Sequence, residues 1–530
     1  MNIGLDLDNT IIDYSESFSF HAKKMSLISK NCLYQKKELK ELIIKQNGQY
    51  AWQKLQGIVY GKGLKQAKLF PGAYRFLWRA RQRNHKIYIV SHKTLYGHYD
   101  KSKTNLREKA ILFLKQKKLF GLLKNNIIDE VFFCNNQNLK INKIKELDIN
   151  IFIDDLPEII SKLNFLTHPN KILFDPLYQD INSSFELANT FEELSEKIYV
   201  DWSILDFQNQ HFFKYKLSKM EEISGRGNSK VLFCETITKK KISIKIYPND
   251  NKHNRIKSEY DGLSEIYKKN KNVIKPVWKN RKANICAYQW IDGEKIINPN
   301  SSDIKLALKF ASHLYKRKNE KYFKNFPKAS SSCISGYEIE KQIQFRFNQL
   351  LEVNNIDLKY FLNNSFLTTS KFLIKRAKLM LNEEHYFEKL KKNDLTLSPS
   401  DFGFHNAIKQ KNDNLIFLDF EYFGWDDPLK LISDFFFHPG NNLSDYNKKI
   451  WLKNSVKIYD VKVIKRLPAL LPLYGLCWSL ILLNEFREEI WVNRIQANKK
   501  NKNKRDFILK KQLFDSESLL KYIKNFIKTL

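Results

Sequence analysis

Residues 398–434 read SPSDFGFHNAIKQKNDNLIFLDFEYFGWDDPLKLISD. The stretch offers a carboxylate at Asp401, an amide at Asn406 and a second carboxylate at Asp419, which ends the apolar run LIFLD. Such a set can orient a hydroxyl and hold a divalent cation beside a nucleoside triphosphate. A separate acid set, Asp6 and Asp8 in IGLDLDNT, stands at the other end of the chain.

Working outward, the 530 residues exceed one ordinary core; at about 150 residues per domain they point to two to four. Hydrophobic content of 43% and aromatic content of 14% are globular values. The formal net charge of +34 would suit nucleic acid or an anionic membrane. Lysines nevertheless run along the whole chain, with denser spots at Lys239–Lys241 and 499–505. That even spread favours a compositional origin, and phosphate-bearing substrates are attracted in either case. Six cysteines lie far apart with no CxxC pair, which argues against a zinc site and against a disulfide framework. The N-terminus does not fit a secretory signal. Leu467–Asn484 is uncharged and close to the length of a spanning helix, but Pro468 and Pro472 and its place after a long soluble region favour a buried helix. No membrane span is expected, and a cytoplasmic location is.

From the N-terminus, Asn2–Leu7 reads as a strand whose carboxyl end carries Asp6 and Asp8, where open α/β sheets bind ligands. Residues 15–70 have helical periodicity, Pro71 suits a helix start, and Ile87–Val90 form a strand ending at Ser91. A helix over 105–118, VFFC (131–134), a helix over 139–147 and the strand NIFIDD (150–155) follow. This alternation implies a doubly wound, Rossmann-like parallel sheet. Acids often cap strands and helices, but several polar strand ends in this order, with a lysine between them, go beyond capping.

These residues resemble the haloacid dehalogenase-like phosphatases. The family's four motifs correspond to LDLDNT (5–10), IYIVS ending at Ser91, an upstream lysine, and IFIDD with Asp154 and Asp155. Lys140 and Lys143 both offer the lysine, and the spacing to IKEL favours Lys140. The resemblance covers about residues 1–195, with 15–70 as a small helical cap. It implies that Asp6 attacks phosphorus, forming an aspartyl-phosphate, and that Asp8 is the acid and then the base. Mg²⁺ is expected at Asp6, the Asp8 carbonyl and the Asp154–Asp155 pair, with Thr10, Ser91 and Lys140 on the phosphoryl oxygens.

Near residues 195–220 the pattern changes to hairpins. SGRGNSKV carries Gly225 and Gly227, which can let a backbone fold over phosphates, although many hairpins contain such glycines. Their weight comes from Lys245 in the strand ISIKIYP and Glu259 in a helical segment, since a strand lysine held by a helix glutamate is how kinase-like folds grip ATP. Ala287–Ile291 reads as a strand leading to a hinge, and 300–395 as long helices whose aromatics are core. With the opening stretch, these motifs resemble the aminoglycoside phosphotransferase/choline kinase family over about residues 218–530. That family's catalytic loop is HxDxxxxN, followed by an apolar strand ending in an acid. Gly424–Pro428 match its GWxDP element, while Pro399 replaces its scaffold histidine. The resemblance implies that Asp401 orients and deprotonates an acceptor hydroxyl, while Asn406 and Asp419 bind Mg²⁺. His405 is left open between substrate contact and a local structural role.

The expected organisation is therefore a hydrolase domain at 1–197 (cap about 15–70), a linker at 198–217 and a kinase-like domain at 218–530. The last is an α+β fold with a small β-rich lobe at about 218–295 and a helical lobe at about 296–530. The expected function is bifunctional: an Mg²⁺-dependent phosphatase, and a kinase using ATP or another nucleoside triphosphate. Its partners would be a phosphorylated metabolite and a hydroxyl acceptor, such as a sugar or surface-polysaccharide precursor. One alternative is nucleic-acid end processing, but such kinases use GxxxxGK[ST]; Gly57–Gly63 lacks both the spacing and the hydroxyl. A second alternative is a fusion in which one half only senses or scaffolds. Oligomeric state has no signature in the sequence.

Overall fold

The computed structural model describes every residue except 30–35, 101, 123–124, 164–168, 178–184, 224–228, 250–252, 498–503 and 529–530. The chain forms two compact units: Met1–Met220 with Thr236–Thr238, and Glu221–Glu235 with Lys239–Leu530.

The first unit is built on strands β1 (Asn2–Leu5), β2 (Ile12–Asp13), β3 (Lys68–Leu69), β4 (Lys86–His92), β5 (Glu130–Cys134), β6 (Ile151–Asp154), β7 (Asn170–Phe174) and β8 (Glu186–Ala188). Six of them form a sheet in the order β5-β4-β1-β6-β7-β8, and every pair in it is parallel. Parallel strands need crossovers, here supplied by Leu106–Gln116, Gln137–Glu146 and Pro157–Leu163. Asn105 and Asn136 start the first two by accepting backbone N–H groups of the opening turn. Strand order reverses at β1, so β4 and β6 flank it and a crevice opens at their carboxyl ends. The short β2–β3 pair is antiparallel, and helices Ser15–Lys24 and Lys36–Tyr60 lie between its strands, the second broken at Gly48. Phe18 stacks on Trp52 at 5.1 Å, giving this insertion its own apolar seam. Residues 198–217 pack into the first unit: buried Asp206 meets Arg79 and Arg83 at 3.0 and 2.7 Å.

A second sheet comprises β9 (Leu217–Ile223), β10 (Lys230–Thr236), β11 (Lys241–Ile246), β12 (Pro276–Asn280) and β13 (Ile285–Gln289), ordered β12-β13-β11-β10-β9, and all but the start of β9 and the last residue of β10 belong to the second unit. The turn Lys257–Asp261 runs directly into the helix Gly262–Lys269. Beyond lie β14 (Glu294–Lys295), β15 (Thr396–Ser398), β16 (Ala407–Lys409), β17 (Leu415–Phe417) and β18 (Gly424–Asp426). Two pairings shape the 398–434 stretch. β15 pairs with β18, and β16 pairs with β17 with Ala407 opposite Phe417. Long helices supply the rest, including Ser301–Lys316, Gly336–Leu351, Pro428–Phe437 and Leu467–Leu482. Phe310, Phe402, Phe417, Phe435 and Trp451 join one continuous core; of the aromatics in 300–395, Phe310, Phe323, Phe361 and Phe366 are core, whereas Phe345, Tyr360 and Phe372 are exposed. The segment Leu467–Phe486 is long and apolar enough to cross a membrane, and 78% of it is buried inside the protein.

Candidate functional site

In the first unit the pairing of Leu5 with Ile153 sets the following residues, Asp6 and Asp154, beside each other at two strand ends. The Asp6 amide donates to the Ile153 carbonyl at 2.9 Å. Lys140, from Gln137–Glu146, is 1% exposed. It donates to Asp6 Oδ1 and to Asp154 Oδ2, each at 2.6 Å. Lys143 instead pairs with Glu146 one turn along its own helix, so Lys140 is the lysine that enters the site. Thr10 Oγ1 donates to Asp155 Oδ1 at 3.4 Å. Ser91 Oγ is buried without a hydrogen-bond partner among the described residues, an atom prepared for something the protein alone does not supply.

Three groups here went unread in the sequence. Lys93, 4% exposed, donates to both oxygens of Asp8 at 2.9 and 2.7 Å. Tyr14 donates to Asp8 Oδ1 at 2.6 Å, and Lys36 to Asn9 Oδ1 at 2.8 Å. Lys93 stands two residues after Ser91, so a strand continuing past Ser91 would have signalled it. Asn9 itself has φ 61°, which turns the chain sharply between Asp8 and Thr10.

Burial pushes the Asp154 carboxyl up to about 7 against the pull of Lys140. Burial, then the charges of Asp6 and Asp154, raise Asp155 as well. Burial opposes the charge on Lys140, but Asp6 and Asp154 more than offset it and hold the ammonium protonated. Asp6 and Asp154 share the Lys140 ammonium, while Lys36 acts on Asp155 and Lys93 on Asp8; carboxylate oxygens are the donors a hard divalent cation takes.

In the second unit, Lys245 on β11 donates to Glu259 Oε2 at 2.8 Å and to Asp419 Oδ1 at 2.5 Å. Tyr247 donates to the same Glu259 oxygen at 2.7 Å. Gly225 and Gly227 lie outside the described residues. The β16–β17 hairpin brings Asn406 and Asp419 together, with the Leu418 amide donating to the Asn406 carbonyl at 2.8 Å. Asn406 Nδ2 donates to the Asp401 carbonyl at 3.0 Å and Asp401 Oδ2 at 3.3 Å, leaving its side-chain oxygen as the available ligand. Ser400 and Asp419 have φ 69° and 59°, backbone conformations that cost energy for residues with a side chain.

Glu421, two residues past Asp419 and without a signal of its own in the sequence, is buried 3.8 Å from Lys245. Carboxylate oxygens of Glu259, Asp419 and Glu421 lie within 4.8 Å of one another, a second set suited to a hard cation. Burial raises Glu259 to about 7 and raises Asp419 too, in both cases against Lys245.

His405 contacts Asp401 rather than standing clear for a substrate. Its Nε2 lies 3.0 Å from Asp401 Oδ1, and His438 Nε2 lies 3.4 Å from the same oxygen. Burial opposes ionisation of Asp401, but the His405 hydrogen bond and the two imidazoles more than offset it and hold the carboxyl at about 2. His438 is pushed down to about 4 by burial, then by His405. Its position, beyond the Pro428–Phe437 helix, carries no local sequence signal.

No family model matches the chain. It is 24% identical to a candidate nucleotidase of Oceanobacillus iheyensis over 192 residues, 35% of this chain and 92% of the relative. Among solved structures, it is similar to a spectinomycin phosphotransferase in complex with ADP and spectinomycin: 13% identity, 58% of this chain, 96% of that one, TM-score 0.40. It is also similar to a choline kinase from Streptococcus pneumoniae: 13% identity, 62% of this chain, 98% of that one, TM-score 0.37.

Proposed function

We propose that the protein is a bifunctional phosphate-transfer enzyme: a phosphatase in the first unit and a small-molecule kinase in the second. The observation that carries the reading is a buried lysine bridging two carboxylates in each unit, Lys140 in one and Lys245 in the other.

In the first unit an Asp6 carboxylate oxygen attacks phosphorus while Asp8 gives its proton to the departing oxygen. Asp8 then takes a proton from the water that attacks the aspartyl-phosphate, releasing phosphate and restoring Asp6. The unpartnered Ser91 hydroxyl and Lys140 receive phosphoryl oxygens, with Thr10 at the same turn. Asp6, the Asp8 carbonyl, Asp154 and Asp155 would hold Mg²⁺, which neutralises phosphate charge. Lys93 must share Asp8 with the incoming anion, which keeps the acid in place until substrate arrives. The substrate is a phosphomonoester, and the candidate nucleotidase puts nucleoside monophosphates at the head of the panel.

In the second unit Lys245 binds ATP phosphates while Glu259 fixes its direction. Asp401 orients the acceptor hydroxyl and accepts its proton. Asn406 and Asp419 would hold Mg²⁺, with Glu421 beside them. The acceptor is a small metabolite such as a sugar, and the setting is cytoplasmic. Opposing activities on one phosphate would only consume ATP, so the two centres act at different positions or in consecutive steps.

The test is a substrate panel on the full chain: phosphomonoesters for phosphate release, and sugars, amino alcohols and aminoglycosides with ATP for transfer. Phosphate release that persists in Asp6→Asn, or transfer that persists in Asp401→Asn, sinks the corresponding half.

A further inference from the structure

We propose that His438, together with His405, is a positioning residue for Asp401: two stacked imidazoles hold Oδ1, while Oδ2, which takes one hydrogen bond from Asn406 Nδ2, keeps a lone pair for the acceptor. The inference rests on the reading of Asp401 above. The rings are parallel, 3.7 Å between centroids with an interplanar angle of 1°, and both Nε2 atoms face Asp401 Oδ1. The Gly440 amide donates to His438 Nδ1 at 2.9 Å. An Nδ1 that accepts leaves the neutral ring's proton on Nε2, aimed at the carboxylate. On the other side of the loop, Pro399 has neither a backbone N–H nor a polar side chain to give.

The surrounding loops are shaped for this contact. Trp478 meets His438 edge-on at 4.8 Å and is itself fixed by donating to Asp434 Oδ1 at 3.0 Å. Asn441, fully buried, accepts from the Phe404 amide at 2.6 Å and donates to the Phe435 carbonyl at 2.8 Å, joining the two loops. A Cβ on Gly403 would fall 2.2 Å from Asn441 Oδ1, and one on Gly440 would fall 2.9 Å from His405 Cβ. Glycine at both positions is what lets the imidazoles reach each other.

Asp401, His405 and His438 also lie close enough to hold a metal ion, but their geometry is wrong for one. Imidazole lone pairs lie in the ring plane, so parallel rings send them side by side instead of converging on one ion. A neutral histidine that ligates through Nε2 keeps its proton on Nδ1, where the Gly440 N–H already points. The cluster positions; it does not chelate.

The experiment measures ATP turnover by the full chain, with water as acceptor and then with the best acceptor from the panel. His438→Leu should lower kcat about 10- to 100-fold with the KM for ATP unchanged. His438→Gln, which keeps a donor near the Nε2 position, should recover most of the loss. In an Asp401→Asn background His438→Leu should cost nothing further. Wild-type kcat in His438→Leu overturns the inference, as do equal losses in both backgrounds or Zn²⁺ binding by the wild type that His438→Leu abolishes. If His438→Leu does not fold, the His438→Gln kcat and its own cycle with Asp401→Asn decide. Turnover that requires Lys245 but ignores His438 sinks the clamp alone. No Lys245-dependent turnover in the wild type sinks the kinase reading, and the clamp with it.

Discussion

Lys140 reaches two carboxylates that leave adjacent strands of one sheet, whereas Lys245 reaches two that come from different elements. In the first unit the register that pairs Leu5 with Ile153 already decides that Asp6 and Asp154 will be neighbours. In the second, strand β11, the turn Lys257–Asp261 and the loop after β17 must each arrive before the ion cluster exists. A sheet register cannot slip by one residue without exposing its buried face, but separate elements are held only by tertiary packing. The two carboxylates of the first centre are therefore fixed by strand register, and those of the second by the assembly of its lobe.

Under the proposed function the two centres should fail separately, so the strongest way to break the contrast is to remove the proposed nucleophile or base one at a time. Asp6→Asn should reduce phosphate release by about 10⁴-fold or more, while ATP turnover stays at the wild-type level. Asp401→Asn should reduce transfer by about 10²- to 10⁴-fold, with phosphate release unchanged. Cross-inhibition in either direction would show that one centre serves both reactions.

The lysines sharpen the contrast next. Lys140→Met strands two buried carboxylates, at a cost of about 3–5 kcal/mol; Lys245→Met strands buried Glu259 beside a partly exposed Asp419 and should cost less. Calorimetry should show two separable transitions, each lowered only by its own variant. Excess Mg²⁺ should restore part of the Lys140→Met loss, because a divalent cation answers the same surplus charge.

Much of this was legible in the sequence, for physical reasons that differ along the chain. Asp6, Asp8, Ser91 and Asp154 announce themselves because a buried parallel strand is an apolar run, and its end is marked by the first polar residue. Lys93 escaped because β4 runs on to His92, past the first polar residue at Ser91. Asp401, Asn406 and Asp419 were legible as a spaced set because one hairpin joins the ends that carry Asn406 and Asp419, and Asp401 is only five residues before Asn406. His438 was not, because it reaches Asp401 from beyond a different helix, and only tertiary packing brings it there. Lys245 and Glu259 were each ordinary alone and gained meaning as a pair, which the 2.8 Å contact supports.

A smaller effect is pH-dependent, and it has the same sign in both units, since burial raises Asp154 in the first as it raises Asp426 in the second. Asp426, at the end of β18, is fully buried; burial pushes its carboxyl up to about 7 against the pull of Lys430. Between the unfolded value near 4 and about 7, the folded state holds a proton that the unfolded state has lost. Stability of the second unit should therefore fall as pH rises through that window, by at most about 1.4 kcal/mol for each step of one in pH. Asp426→Asn should flatten the decline in the melting temperature of that unit and leave the other transition alone. An unchanged slope would mean that Asp426 stays ionised in the fold.

The smallest expected effect sits on Asp8, the counterpart of Asp401 in the first unit. Asp401 is held by two imidazoles on one oxygen and by the Asn406 amide on the other, whereas Asp8 is held on both oxygens by the Lys93 ammonium and on one also by Tyr14. Burial, then the charge of Asp8, raise the Tyr14 phenol well above its usual range, so it remains a donor at every assay pH. Tyr14→Phe removes one hydrogen bond to a charged acceptor but leaves the Lys93 clamp intact. The expected loss is about 1.5 kcal/mol, roughly tenfold in the kcat for phosphate release. Because Tyr14 never ionises, the pH profile should keep its shape while its height falls. A profile whose limbs move would mean that Tyr14 does more than donate one hydrogen bond to Asp8. The two units would then differ in how they control their acid–base group, as well as in how they assemble it.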